Sequence, residues 1–221
     1  MADSNGRGKP HIALMAFPFA SHPVVLFTFA RMLASAAPGA LFSFLTSSQS
    51  LASFSKTWRP ENVRLYAVDD GCSEVMVNVV ERIGLFIEAM PGNFVAGIGA
   101  AEKETGGVKV SCVVSDGFLP AAGEVAEGMG VPWVPLWTCG PPSLVAHLRT
   151  DELRRRVGVQ EQADPTKGEE LLHCIPALSA FRICDLPMGI LSGDIHSGFS
   201  TLLHRAGNKI PHAAAIALNT F

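Results

Sequence analysis

The sequence has 221 residues, 48% of them hydrophobic and 17% charged, with a formal net charge of −3. That apolar content buries a sizeable core and excludes intrinsic disorder, which needs low hydrophobicity and high net charge. The slightly acidic balance supplies no basic face, so no nucleic-acid partner is expected.

Residues 1–10 form a polar N-terminal tail without the apolar core of a secretory signal. Residues 12–17 are a continuous apolar run, read as a strand buried on both faces, ending in a Pro-containing turn. Residues 22–36 place Val25, Leu26, Phe29, Met32 and Leu33 at helical spacing, and Ala36-Ala37-Pro38-Gly39 stops the helix. Residues 40–46 read as a second strand, 46–50 as a Ser-rich loop, and 63–68 as a third strand closed by Asp69-Asp70-Gly71. A helical pattern covers 79 to about 104, interrupted near Pro91-Gly92 and ended by Gly106-Gly107.

Residues 110–115 predict a fourth strand ending at Asp116. A helix over 119–129 and a fifth strand over 131–137 come next. Residues 141–157 read as one helix with proline near its start, where the missing amide hydrogen costs little. A polar surface loop over 158–170, a short helical turn over 185–190, a helix over 199–209 and a sixth strand over 213–218 complete the chain. No uninterrupted apolar run reaches about 18 residues, so no transmembrane helix is expected. Cys72, Cys112, Cys139, Cys174 and Cys184 are scattered, with no C-x-x-C pair. That pattern argues against a zinc or dithiol site and fits reduced thiols in a cytoplasmic protein.

Strands alternating with helices imply an α/β fold, a Rossmann-like parallel sheet flanked by helices, as one domain over residues 11–221. In a 3-2-1-4-5 strand order the first and fourth strands are neighbours at the point where the order reverses, and ligands bind beyond their carboxyl ends. His22 comes after the first strand and Asp116 ends the fourth, so this topology brings them together. A carboxylate behind an imidazole fixes its tautomer and stabilises the imidazolium that forms, which makes His22 a candidate general base. The plainer alternatives are a capping histidine and a turn aspartate before Gly117. A Ser or Cys hydrolase would use the same pair, but no G-x-S-x-G elbow occurs. Gly97-Ile98-Gly99 comes after no strand and lacks a third glycine, and no Walker motif is present, so no nucleotide site contained wholly in the chain is expected.

Four segments carry a resemblance: F-P-F-A-S-H at residues 17–22, S-F-L-T-S-S-Q-S at 43–50, V-V-S-D-G-F at 113–118 and P-L-W-T-C-G-P-P-S-L-V-A-H at 135–147. With A-L-N-T-F at 217–221, they resemble the plant UDP-dependent glycosyltransferases, in particular the flavonoid and anthocyanidin 3-O-glucosyltransferases. The resemblance implies the N-terminal domain of a GT-B glycosyltransferase, in which two Rossmann-like domains face each other. The first binds a flavonoid or other phenolic acceptor and the second holds most of the UDP-sugar, a co-substrate, with no cofactor or metal. It implies that His22, held by Asp116, deprotonates an acceptor hydroxyl, which attacks the anomeric carbon with inversion. Thr138 then corresponds to a contact of the transferred sugar, Ser21 to a small polar residue near the donor, and His147 to a residue lining the flavonoid pocket. Phe19, Phe118 and Trp137 are candidate apolar walls, with ordinary core packing the alternative for each. Neither a Trp-Ala-Pro-Gln start nor a His-Cys-Gly-Trp-Asn-Ser run occurs. The UDP-sugar domain is therefore expected to be absent and the isolated chain inactive. The competing reading is a non-catalytic flavonoid-binding or decoy protein.

Overall fold

A computed structural model describes residues 8–54, 56–72, 78–159 and 165–220. Most of the polar tail and part of the loop expected over 158–170 lie outside the described residues. Six strands, β1 (His11–Met15), β2 (Leu41–Ser47), β3 (Val63–Val68), β4 (Cys112–Asp116), β5 (Trp133–Trp137) and β6 (Ala217–Leu218), form one sheet in the order β3-β2-β1-β4-β5-β6. Every pairing is parallel. The helices are α1 (His22–Ala36), α2 (Ser48–Phe54), α3 (Val79–Glu104), α4 (Pro120–Met129), α5 (Pro141–Leu148), α6 (Thr150–Val157), α7 (Pro165–Gly168) and α8 (Gly198–Lys209). A parallel sheet with helices packed on both faces is the Rossmann-like architecture expected from the alternation of strands and helices.

Alternation along β1 shows how the sequence builds two layers. Ala13 and Met15 face a core shared with α3, α4 and α8, while Leu14 and Ala16 face one shared with α1. Phe27, Phe44 and Phe54 interlock on the α1 side, with ring centroids 4.7–6.0 Å apart. A third, smaller cluster packs Ala146 of α5 and Leu153 of α6 against Leu172, Ile175, Leu178 and Ile183 of the irregular segment between α7 and α8. His11, wholly buried at the start of β1, is held at both ring nitrogens, by the Val108 carbonyl at 2.9 Å and the Ser43 hydroxyl at 2.8 Å.

Four local expectations are corrected. The Ser-rich segment after β2 is helical from Ser48 onward, because Phe54, at the end of that helix, is anchored in the α1-side core. α3 is continuous through Pro91, which sits on its exposed side while Phe86, Met90, Phe94 and Ile98 pin the other face to the sheet. An Asn78–Glu81 capping box starts that helix. The single helix expected over 141–157 is two helices, since Thr150 turns its hydroxyl back to the Ala146 and His147 carbonyls and Arg149 leaves helical geometry. The turn expected at 185–190 is instead a short 3₁₀ segment at Ile183–Asp185. Between Glu81 and Glu104, α3 is long and apolar enough by length and composition to cross a membrane, but its buried residues are part of the sheet-facing core.

Glycine at position 207 of α8 fixes how that helix meets α5. A Cβ there would collide with the His147 carbonyl, so the missing side chain lets α8 pack directly against the end of α5.

Candidate active site

The strand order places the carboxyl ends of β1 and β4 side by side, and the turns leaving them build the site. After β1 the chain runs through Phe17-Pro18-Phe19 and reaches Ala20 with a left-handed backbone (φ 51°). A Cβ in that conformation costs roughly 1–2 kcal/mol, a local strain that aims the next turn. Ser21 caps α1 through its carbonyl, which accepts the Val24 and Val25 amides, and His22 is the first helical residue.

Asp116 ends β4 completely buried. Its Oδ2 lies 2.7 Å from His22 Nδ1, and its Oδ1 accepts the Phe118 backbone N–H at 2.9 Å. The intervening Gly117 crosses β5 so closely that a Cβ would sit 2.8 Å from the Trp137 ring and 3.1 Å from the Leu136 carbonyl. Glycine at 117 therefore sets the angle at which Asp116 meets His22. An ionised carboxylate can only accept, so facing it the neutral imidazole would hold its proton on Nδ1 and leave a lone pair on Nε2. Among the described residues no hydrogen bond occupies Nε2, and the His22 side chain retains 15% exposure. Thr138 Oγ1 lies 3.5 Å from Nδ1, too far to compete with the carboxylate. The imidazole is clamped between Phe17, with centroids 5.3 Å apart, and Phe118, at 4.6 Å.

Two adjoining lobes open beside this pair, sharing Phe199 of α8 as their dividing wall. One, of about 470 Å³, holds His22 with Phe17, Phe19, Val79, Arg82 and Ile83. The other, of about 520 Å³, is lined by Phe118, Cys139, His147, Met188 and Leu203 among others. Both fall within the size range of small-molecule sites, and both are predominantly apolar with a few polar groups. Exposed Val79 and Met188 carry apolar surface out to the two mouths. A larger cavity of about 660 Å³ lies at the opposite end of the sheet, near Trp133; its Arg205 and Lys209 are paired with Glu124 and Glu127.

Phe19 thus lines the first lobe with His22, Phe118 and His147 line the second, and Asp116 and Thr138 lie against His22 at Nδ1 without lining either lobe. Two residues stand apart. Trp137 has no exposed surface, so it backs Phe118 at 5.5 Å and His147 at 5.4 Å instead of forming a wall. Ser21 is exposed on the α1 cap and lines neither lobe. Phe17, Phe199 and Arg82 also line the lobes. Phe17 opens the F-P-F-A-S-H segment but has no role assigned there, and the other two come from helices remote in sequence from the His22 turn, where no motif singles them out. No cluster of three or more His, Cys, Asp or Glu suited to a metal occurs among the described residues.

His147 is buried, and desolvation lowers its pKa to about 4, so its ring is neutral at physiological pH. The unfolded chain takes up this proton near pH 6.5, whereas the folded chain resists it down to about pH 4. Stability is therefore lost as pH falls through that window, by about 2–3 kcal/mol between pH 7 and pH 4.5. Urea unfolding at both pH values should show His147→Leu losing less stability on acidification than the wild type by about that amount; equal losses would refute the assignment.

No protein-family model matches the chain. It is 51% identical over 217 residues to a myricetin 3-O-rhamnosyltransferase of Crocosmia x crocosmiiflora, with 96% of this chain and 47% of that one covered. An anthocyanidin 3-O-glucosyltransferase of Zea mays is 42% identical over 233 residues, covering 100% of this chain and 49% of that one. The chain is homologous to about half of a plant flavonoid 3-O-glycosyltransferase. The fold agrees: a crystal structure of a UDP-glucose:anthocyanidin 3-O-glucosyltransferase in complex with UDP superposes with a TM-score of 0.86 at 33% identity, covering 96% of this chain and 47% of that one. The chain thus spans about half the length of the curated glycosyltransferases it matches.

Proposed function

We propose that the chain forms the acceptor-binding, base-bearing half of an inverting UDP-glycosyltransferase that moves a sugar, glucose in the first instance, to the 3-hydroxyl of a flavonol or anthocyanidin. The observation that carries this reading is the 2.7 Å His22–Asp116 contact at the wall of an aromatic cleft. The 3-O-glycosyltransferase names of the relatives support the choice of acceptor and reaction.

In the proposed reaction the acceptor hydroxyl gives its proton to His22 Nε2 as its oxygen bonds to the anomeric carbon. The bond from that carbon to the phosphate oxygen breaks, and UDP leaves with the electron pair. Asp116 keeps Nδ1 protonated throughout and stabilises the imidazolium. Phe17 and Phe118 fix the ring, while the lobes on either side of Phe199 hold the flat acceptor so that its oxygen faces Nε2. Thr138, beside His22, is positioned for a hydroxyl of the sugar.

The test is a chimera in which this chain replaces the segment it matches in the Crocosmia relative, assayed with UDP-sugars. Transfer to the 3-hydroxyl of a flavonol, and none to its 3-O-methyl ether, is the expected outcome. Transfer to another position would reject the regiochemistry, and none at all would reject the reaction. The 221-residue chain alone should quench on flavonol addition while releasing no UDP, whereas UDP release coupled to product would reject the assignment of the donor site to a separate half.

A further inference from the structure

Arg82 stands out in the His22 lobe, whose other walls are largely aromatic and aliphatic. It supplies the only lysine or arginine among the described lining residues. Its guanidinium lies over the Phe19 ring, 5.8 Å from the centroid, and Nη2 donates to Gln49 Oε1 at 2.9 Å. Asp70 is 3.8 Å from the same nitrogen, beyond hydrogen-bond reach. Among hydrogen bonds between described residues, this leaves Nη1 and Nε unoccupied. The side chain is held from below by an aromatic face and from one side by an amide, while part of its donor fork is available to the lobe.

We propose that Arg82 is a specificity-determining residue that selects acceptors carrying vicinal hydroxyls on the aryl ring placed in this lobe. The inference rests on the proposed acceptor site and names a feature of the substrate. Two adjacent phenolic oxygens match the spacing of a guanidinium fork, which binds planar oxygen pairs bidentately. The positive charge also favours the more acidic hydroxyl of such a pair in its ionised form. A single hydroxyl satisfies one donor, and an unsubstituted ring satisfies none while desolvating the cation.

Flavonols with zero, one, two and three hydroxyls on the pendant phenyl ring are titrated into the 221-residue chain, with binding followed by tryptophan quenching. In the wild type, affinity should rise about tenfold on going from one hydroxyl to the vicinal pair, the size of a charge-assisted hydrogen bond gained. Arg82→Met should reduce that ratio to about twofold or less, with the unsubstituted flavonol bound more tightly than by the wild type because no cation is desolvated. Arg82→Lys, which keeps the charge but loses the fork, should recover less than half of the discrimination on a logarithmic scale. Thermal unfolding of each variant separates lost selectivity from lost folding. An unchanged ratio in folded Arg82→Met, or full discrimination in Arg82→Lys, overturns the proposal. Failure of the wild type to bind any flavonol overturns the acceptor site beneath it.

Discussion

Replacing His22 by alanine in the chimera is expected to lower sugar transfer by about 10²–10⁴-fold, the usual contribution of a general base. The loss should appear in kcat, with KM for the flavonol within about threefold of wild type, because the aromatic walls of the lobes are kept. The ring fills a slot between Phe17 and Phe118, so a fall of a few degrees in Tm accompanies the change, but a cooperative transition remains. Initial-rate kinetics with saturating UDP-sugar measure it. Turnover retained within about tenfold would mean that another group, or water, takes the acceptor proton.

The second large effect is expected for Asp116→Asn. The side chain is fully buried, so removing it entirely would leave the Phe118 amide without its acceptor; asparagine preserves the shape and keeps that bond. What changes is the other contact. The amide NH₂ now faces His22 Nδ1, which must accept, and the ring proton moves to Nε2, the atom that should receive the acceptor proton. Transfer should fall by roughly 10²–10⁴-fold with flavonol binding preserved, a loss of the wrong-tautomer kind. A chimera carrying Asp116→Asn that works within about fivefold of wild type would show that the carboxylate does not govern the tautomer.

The part of the site legible in the sequence is the part built by sheet topology. An apolar run ending at the Phe17 turn and another ending at Asp116 are strands, and once the 3-2-1-4-5 order is taken for the alternating chain, as the sheet has it with β6 added, that order brings His22 to Asp116 across 94 positions. The rest depends on side-chain depth and helix placement, which periodicity does not encode. Trp137 and Phe118 read alike as aromatic wall candidates, yet Trp137 lies beneath Phe118 because it is the inward residue at the end of β5, while Gly117 lifts Phe118 over it. Arg82 sits in the first turn of α3, whose apolar stripe announces the core and says nothing of what its polar flank faces. Phe199 reads as one residue of a helix, but its place between the two lobes is set by how α8 packs on the rest of the fold, which no local pattern reveals. Pro91 and the Ser-rich start of α2 show the converse: local breaker signals yield when one face of the element is anchored in a core.

The most direct test of the central claim, that Asp116 poises His22 as a base at Nε2, is the ring ¹⁵N spectrum of His22 in the 221-residue chain above neutral pH. Coupling to the ring carbons identifies which nitrogen bears the proton. The expected result is the Nδ1–H form in the wild type, switching to Nε2–H in Asp116→Asn. An Nε2–H imidazole in the wild type would contradict it.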